Sequence, residues 1–235
     1  TTADHTTTWR QVLPEFERTF TVYAMDRRGC GGSADSPVYE RMREAEDVAA
    51  IVDSIGEPVS VLGHSHGALC GLEATLLTPH VHKLIAYEGV PLRGADDIRS
   101  DVIEKLEAIL DAGDVEGVLI TMLSELVGMP REELELMRAQ RDAWAVRLAN
   151  ARTIPRELRA YERYVFEPER FGAMRTPTLL LVGEHSPARE LENAKGIADA
   201  LPDARVGTIP GQHHIAMYTA PEIFVTEVTR FLARW

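Results

Sequence analysis

Val59-Ser60-Val61-Leu62-Gly63-His64-Ser65-His66-Gly67-Ala68-Leu69 decides the fold. An apolar, β-branched run leads into a serine with a glycine two positions away on either side, and the small residues Gly67, Ala68 and Gly71 follow where a helix must pack closely. A strand that turns sharply into a helix at Ser65 accounts for all of these choices. Holding a hydroxyl at the tip of such a turn forces strained dihedrals on the serine, and bulky side chains two positions away would collide. Gly63 and Gly67 are expected to remove that collision. The plainer reading, an ordinary glycine turn, leaves the preceding strand and the small residues after it unexplained.

Composition sets the outer limits. With 235 residues and 45% hydrophobic content the chain can bury a sizeable core, enough for one domain or one domain with an insertion. No run approaches the roughly 18 uncharged apolar residues of a membrane span. Thr1-Thr2-Ala3-Asp4-His5 has neither the basic start nor the apolar stretch of a secretory signal, so a cytoplasmic location is the expectation. Cys30 and Cys70 offer neither a disulfide framework nor a spaced metal site, and free thiols are expected. A net charge of −12, without a basic stripe interleaved with aromatics, argues against nucleic acid as a partner.

Away from Ser65, apolar β-rich runs alternate with segments of helical period, as when helices cover a mainly parallel sheet. A helix near Trp9–Arg18 is predicted to precede a strand at Phe20–Met25. The loop Asp26-Arg27-Arg28-Gly29-Cys30-Gly31-Gly32-Ser33 then leads toward a helix carrying Val48, Ile51, Val52 and Ile55, stopped by Gly56. Further strands are predicted at Lys83–Tyr87, Pro177–Gly183 and Ala204–Ile209, with a last helix opened by Pro221. Residues 92–171 break this rhythm. They read as helices, with Gly113 and Gly128 as stops and Pro130 and Pro155 in first turns.

Together, Asp26–Ser33, Gly63-His64-Ser65-His66-Gly67 and Gly211-Gln212-His213-His214 resemble an α/β-hydrolase, a serine hydrolase with a helical cap, over nearly the whole chain. The resemblance implies an α/β fold: a mainly parallel sheet flanked by helices, formed by 1–91 and 172–235, with an all-helical cap at 92–171. It places Ser65 on a nucleophile elbow, followed in chain order by an acid and a histidine, and sets the cap over the nucleophile.

The histidine must lie on the loop after the last strand to act as general base. The family pattern, glycine, two variable positions, histidine, then apolar residues, fits Gly211, His214, Ile215 and Ala216, and favours His214 over His213. The acid is displaced. Where relatives carry Asp or Glu two or three residues past the glycine that ends the seventh strand, this chain has His185 and Ser186 after Gly183. Glu184 is one alternative, although strand alternation would turn it away. Glu88, at the end of Ile85-Ala86-Tyr87, is preferred, because a carboxylate leaving the strand beside the nucleophile strand can approach the histidine. Its plainer role would be to pair with an arginine such as Arg93.

An oxyanion needs two N–H donors, each worth about 3 kcal/mol. The resemblance assigns one to the His66 amide, which opens a helix. The second is assigned to the loop after the third strand, and so to Thr1. The segment Thr1-Thr2-Ala3-Asp4-His5 reads as the continuation of a His-Gly oxyanion loop, which makes the N-terminal strands, the central third strand among them, appear missing from the sequence.

Ser65, His214 and Glu88 then imply acyl transfer without metal or organic cofactor, on a small to medium hydrophobic ester or lactone. Met122, Leu126, Met129, Met137 and Trp144 could line an apolar pocket, although helical spacing more simply means packing. A C–C bond hydrolase or a cofactor-free perhydrolase would use the same triad, and a noncatalytic ligand-binding protein could share the fold. A haloalkane dehalogenase is disfavoured, because its nucleophile is an aspartate. The expected partner is a small-molecule substrate, with no nucleic acid and no membrane; a homo-oligomer stays open.

Overall fold

A computed structural model describes residues 2–36 and 38–233. Four strands form one parallel sheet in the order β1-β2-β3-β4: β1 Val59–His64, β2 Val81–Tyr87, β3 Thr178–Gly183 and β4 Ala204–Ile209. All are shorter than eight residues, and the two inner strands, β2 and β3, are the most apolar and the most buried, as strands covered on both faces require. β3 is buried at every position.

The chain divides into two compact units. One comprises residues 40–94, 164–214 and 226–235 and contains the sheet. Its helices include α1 Arg41–Ile55, α2 His66–Ala74 and α3 Ala188–Ala200. Gly56 ends α1 at φ 77°, the left-handed stop its position predicts. Close packing of α2 on the sheet depends on Gly71, where a Cβ would stand 3.1 Å from Leu84 and 3.2 Å from Val61. Behind α2, the fully buried carboxylate of Glu73 accepts from Arg170 at 2.7 and 3.2 Å and from the Tyr164 hydroxyl at 3.0 Å.

The other unit comprises residues 1–39, 95–163 and 215–225. It joins most of the segment expected as a cap with N-terminal residues expected in the core. Its helices include Ser100–Asp111, Val115–Thr121, Arg131–Ala139, Arg141–Asn150 and Ile154–Glu162, with a π-helical turn at Met122–Leu126. Gly113 and Gly128 take φ of 83° and 72°, and Pro155 sits in a first turn. Pro130 differs from expectation, standing as the N-cap of its helix rather than inside it. Met122, Met129, Met137 and Trp144 are buried, and the Trp144 indole donates to Glu116 at 3.0 Å.

Two expected elements differ. The helix near Trp9–Arg18 is shortened to Leu13–Glu17, with Pro14 in its first turn, where the missing N–H is tolerated, and a separate short helix, His5–Thr8, precedes it. The strand at Phe20–Met25 is absent: its residues are irregular, and Val22 and Tyr23 are exposed. A strand exists only through ladder hydrogen bonds, and among the described residues this segment has no strand beside it. Among the described residues β1 is likewise paired only with β2.

The Asp26–Ser33 loop is instead organised by the Asp26 carboxylate, which accepts from the amides of His5 at 2.7 Å and Gly32 at 2.9 Å. Burial pushes this carboxyl up, but those bonds outweigh it and the net shift is downward. Cys30 and Cys70 are both buried, and neither forms a disulfide among the described residues. Among the described residues no helix is long and apolar enough to cross a membrane.

Candidate active site

The sheet register decides which side chains meet. His64 pairs with Tyr87, so the next residues, Ser65 and Glu88, leave neighbouring parallel strands side by side at the carboxyl edge. The turns after β3 and β4 emerge at the same edge, where open α/β sheets place their ligands.

Ser65 adopts φ 55°, ψ −127°, and its side chain makes no capping bond to α2. This is a sparsely populated conformation for a residue with a side chain, costing about 1–3 kcal/mol unless neighbours enforce it. Gly63 is one enforcer, since a Cβ there would lie 2.3 Å from the Gly67 carbonyl. Gly67 does not share that role: a Cβ at Gly67 would meet nothing within 4 Å. The second enforcer is Gly89, at φ 71°, whose Cβ would stand 2.5 Å from Ser65 Cα. Close approach of the Glu88-Gly89 turn to the serine backbone is visible only in three dimensions.

Glu88 also takes a positive φ, 52°. Its buried carboxylate accepts from His214 Nδ1–H at 2.5 Å through Oε2, and from the Gly183 amide at 2.7 Å and the Ser186 hydroxyl at 2.6 Å through Oε1. Arg93 is not among these partners. Glu184 points elsewhere, accepting from the Gly211 amide at 2.7 Å. Ser186, which occupies a usual acid position, thus orients Glu88.

Burial pushes the Glu88 carboxyl up, but the His214 bond and charge, with Ser186 and Gly183, more than offset this and hold it below the ordinary glutamate value. For His214, burial works downward, while the bond to Glu88 and the charges of Glu88 and Glu190 lift it above the ordinary histidine value. With Nδ1 on Glu88, Nε2 is the ring nitrogen left for chemistry.

The loop carrying His214 is fixed on several sides. His64 Nε2–H donates to the His214 carbonyl at 2.8 Å, and the two rings lie 4.5 Å apart. The Tyr87 hydroxyl donates to the His213 carbonyl. A Cβ at Gly183 would be 2.5 Å from the Gln212 carbonyl. His213 itself faces His185, with ring centroids 5.6 Å apart.

His66 begins α2, and its buried imidazole Nε2 lies 3.3 Å from Glu44 Oε1. With Cys70 these are the side chains that bring three metal-capable atoms within 4.8 Å of one another among the described residues. Thr1, assigned as second oxyanion donor, lies outside the described residues.

A parallel α/β sheet with a strained serine at the first turn and a carboxylate–histidine pair on the following ones defines a hydrolase-type fold. The family model described as the alpha/beta hydrolase family matches residues 3–227, and the chain belongs to that family. It is 24% identical over 233 residues to the 2-hydroxy-6-oxo-6-(2'-aminophenyl)hexa-2,4-dienoic acid hydrolase of Metapseudomonas resinovorans, covering 96% of this chain and 78% of the relative. A putative esterase/lipase of Haemophilus influenzae is 25% identical over 222 residues, covering 92% of this chain and 75% of the relative. Among solved structures, an alpha/beta hydrolase from Sphaerobacter thermophilus superposes with a TM-score of 0.77 at 30% identity, covering 96% of this chain and 88% of that one.

Proposed function

We propose that the protein is a serine hydrolase that cleaves a small to medium hydrophobic ester or lactone through an acyl-enzyme. The observation that carries this reading is the 2.5 Å contact between His214 Nδ1 and Glu88 Oε2 beside a serine held at φ 55°. In the first half-reaction His214 Nε2 takes the Ser65 hydroxyl proton as Oγ attacks the substrate carbonyl. Glu88 keeps the ring in the tautomer with Nδ1–H and stabilises the imidazolium. The oxyanion is held by the His66 amide, at the positive end of α2, together with a second donor. His214 then protonates the leaving alcohol. Water, deprotonated by the same histidine, releases the acid and restores Ser65.

The similarity to the Metapseudomonas resinovorans hydrolase, along 96% of this chain, supports a second reading: hydrolysis of a carbon–carbon bond beside a ketone with the same three residues. In that case His214 and Ser65 serve a carbon leaving group. Short p-nitrophenyl esters and a vinylogous diketone, each assayed against a Ser65→Ala control, separate the two. Ester cleavage above the control supports the first reading; cleavage of the diketone alone supports the second; cleavage of neither contradicts both.

A further inference from the structure

Glu190 lies in the first turn of α3, with only 13% of its side chain exposed. Its Oε2 accepts from the Gly89 amide at 3.1 Å. Gly89 is the residue that presses on the Ser65 backbone, and the preceding residue, Glu88, carries His214. One carboxylate therefore holds the turn lying between the serine and the carboxylate–histidine pair. The space around it, lined by Glu88, Gly89, Val90 and Glu190 among others, amounts to about 10 Å³, too small for a substrate group. Glu190 is thus placed to act through its neighbours.

We propose that Glu190 is a positioning residue of the site, pinning the Glu88-Gly89 turn against Ser65 and holding a second negative charge behind Glu88. The inference rests on the serine-hydrolase reading. The groups facing Glu190 are Glu88 and His214, with Arg189 Nε at 3.8 Å from Oε1 on its own helix. His214 in turn faces Glu88, Glu190 and the rings of His64 and Tyr87. Burial and the nearby charge of Glu88 raise the Glu190 carboxyl, the direction expected of two acids sharing one enclosed space.

Two variants separate the hydrogen bond from the charge. Glu190→Gln keeps an acceptor for the Gly89 amide and removes the charge; Glu190→Ala removes both. Amide exchange at Gly89, followed by NMR, should be about fivefold faster in Glu190→Ala and unchanged in Glu190→Gln. The acid limb of Ser65 labelling by a fluorophosphonate should move to lower pH in both, because loss of the charge makes the imidazolium easier to deprotonate. Unchanged exchange at Gly89 in Glu190→Ala, or an acid limb that stays in place in both variants, overturns the proposal. A wild-type protein that takes no label overturns the serine-hydrolase reading instead. The His214 titration, followed by NMR in the same variants, then replaces the labelling limb and decides the role of Glu190 by the same criterion.

Discussion

His214 and Glu88 meet at 2.5 Å although 126 positions separate them, and both reach that point from the carboxyl ends of parallel strands. The carboxylate is committed before any substrate arrives, since Gly183 and Ser186 occupy its other oxygen. This fixed orientation makes the consequences of altering each residue distinct.

Replacing Glu88 by Gln should lower the hydrolytic rate by about 10³ to 10⁴, the loss typical when the histidine is presented in the wrong tautomer. Glu184→Gln should leave the rate within about threefold of wild type, because Glu184 is bonded to Gly211 instead. Steady-state kinetics on one ester compare the two directly. A larger loss in Glu184→Gln would transfer the acid role to that residue.

Activity should rise with pH as His214 loses its proton, through a limb lying above the ordinary histidine value of 6.5. The upward direction follows from the Glu88 bond and the charges of Glu88 and Glu190, which favour the imidazolium and outweigh burial. Rate profiles of kcat/KM against pH read this limb. For stability the sign is the same: the raised histidine contributes fully below 6.5 and its contribution is lost as pH rises through the folded-state value.

The two elbow glycines should behave differently. Gly63→Ala places a methyl group 2.3 Å from a backbone carbonyl and should destabilise by at least about 2 kcal/mol. Gly67→Ala meets nothing within 4 Å and lies inside a helix, so its stability should stay within about 1 kcal/mol of wild type. Urea unfolding of both proteins measures the difference.

Arg170→Ala leaves the fully buried Glu73 carboxylate with the Tyr164 hydroxyl at 3.0 Å as its remaining partner among these contacts, and should destabilise by about 2 to 4 kcal/mol. Removing both charges together, as Glu73→Leu with Arg170→Met, should be less harmful than Arg170→Ala alone. Equal losses in chemical denaturation would contradict this.

Much of the sheet was legible. β4 occupies the expected residues, and β3 begins one residue later than expected, because short apolar runs bounded by turn residues carry their own signal. Phe20–Met25 carries the same signal yet forms no strand, since strand formation also depends on a neighbour that local sequence cannot report. Ser65 stood out by its flanking glycines, His214 through the resemblance to a family pattern, and Glu88 through the expected neighbourhood of its strand and the serine's. Gly89, Ser186 and Glu190 left no local trace, because their contacts with the site join residues as much as 101 positions apart. Gly67 shows the opposite failure, a motif glycine for which no neighbour demands the missing side chain.

The most direct test is peptide mapping after treatment with a fluorophosphonate, comparing wild type with His214→Ala. The proposed mechanism requires the adduct on Ser65 in wild type, and labelling at least about 10³-fold slower in His214→Ala. A folded wild-type protein with Ser65 unmodified, or labelling equally fast without His214, would contradict it.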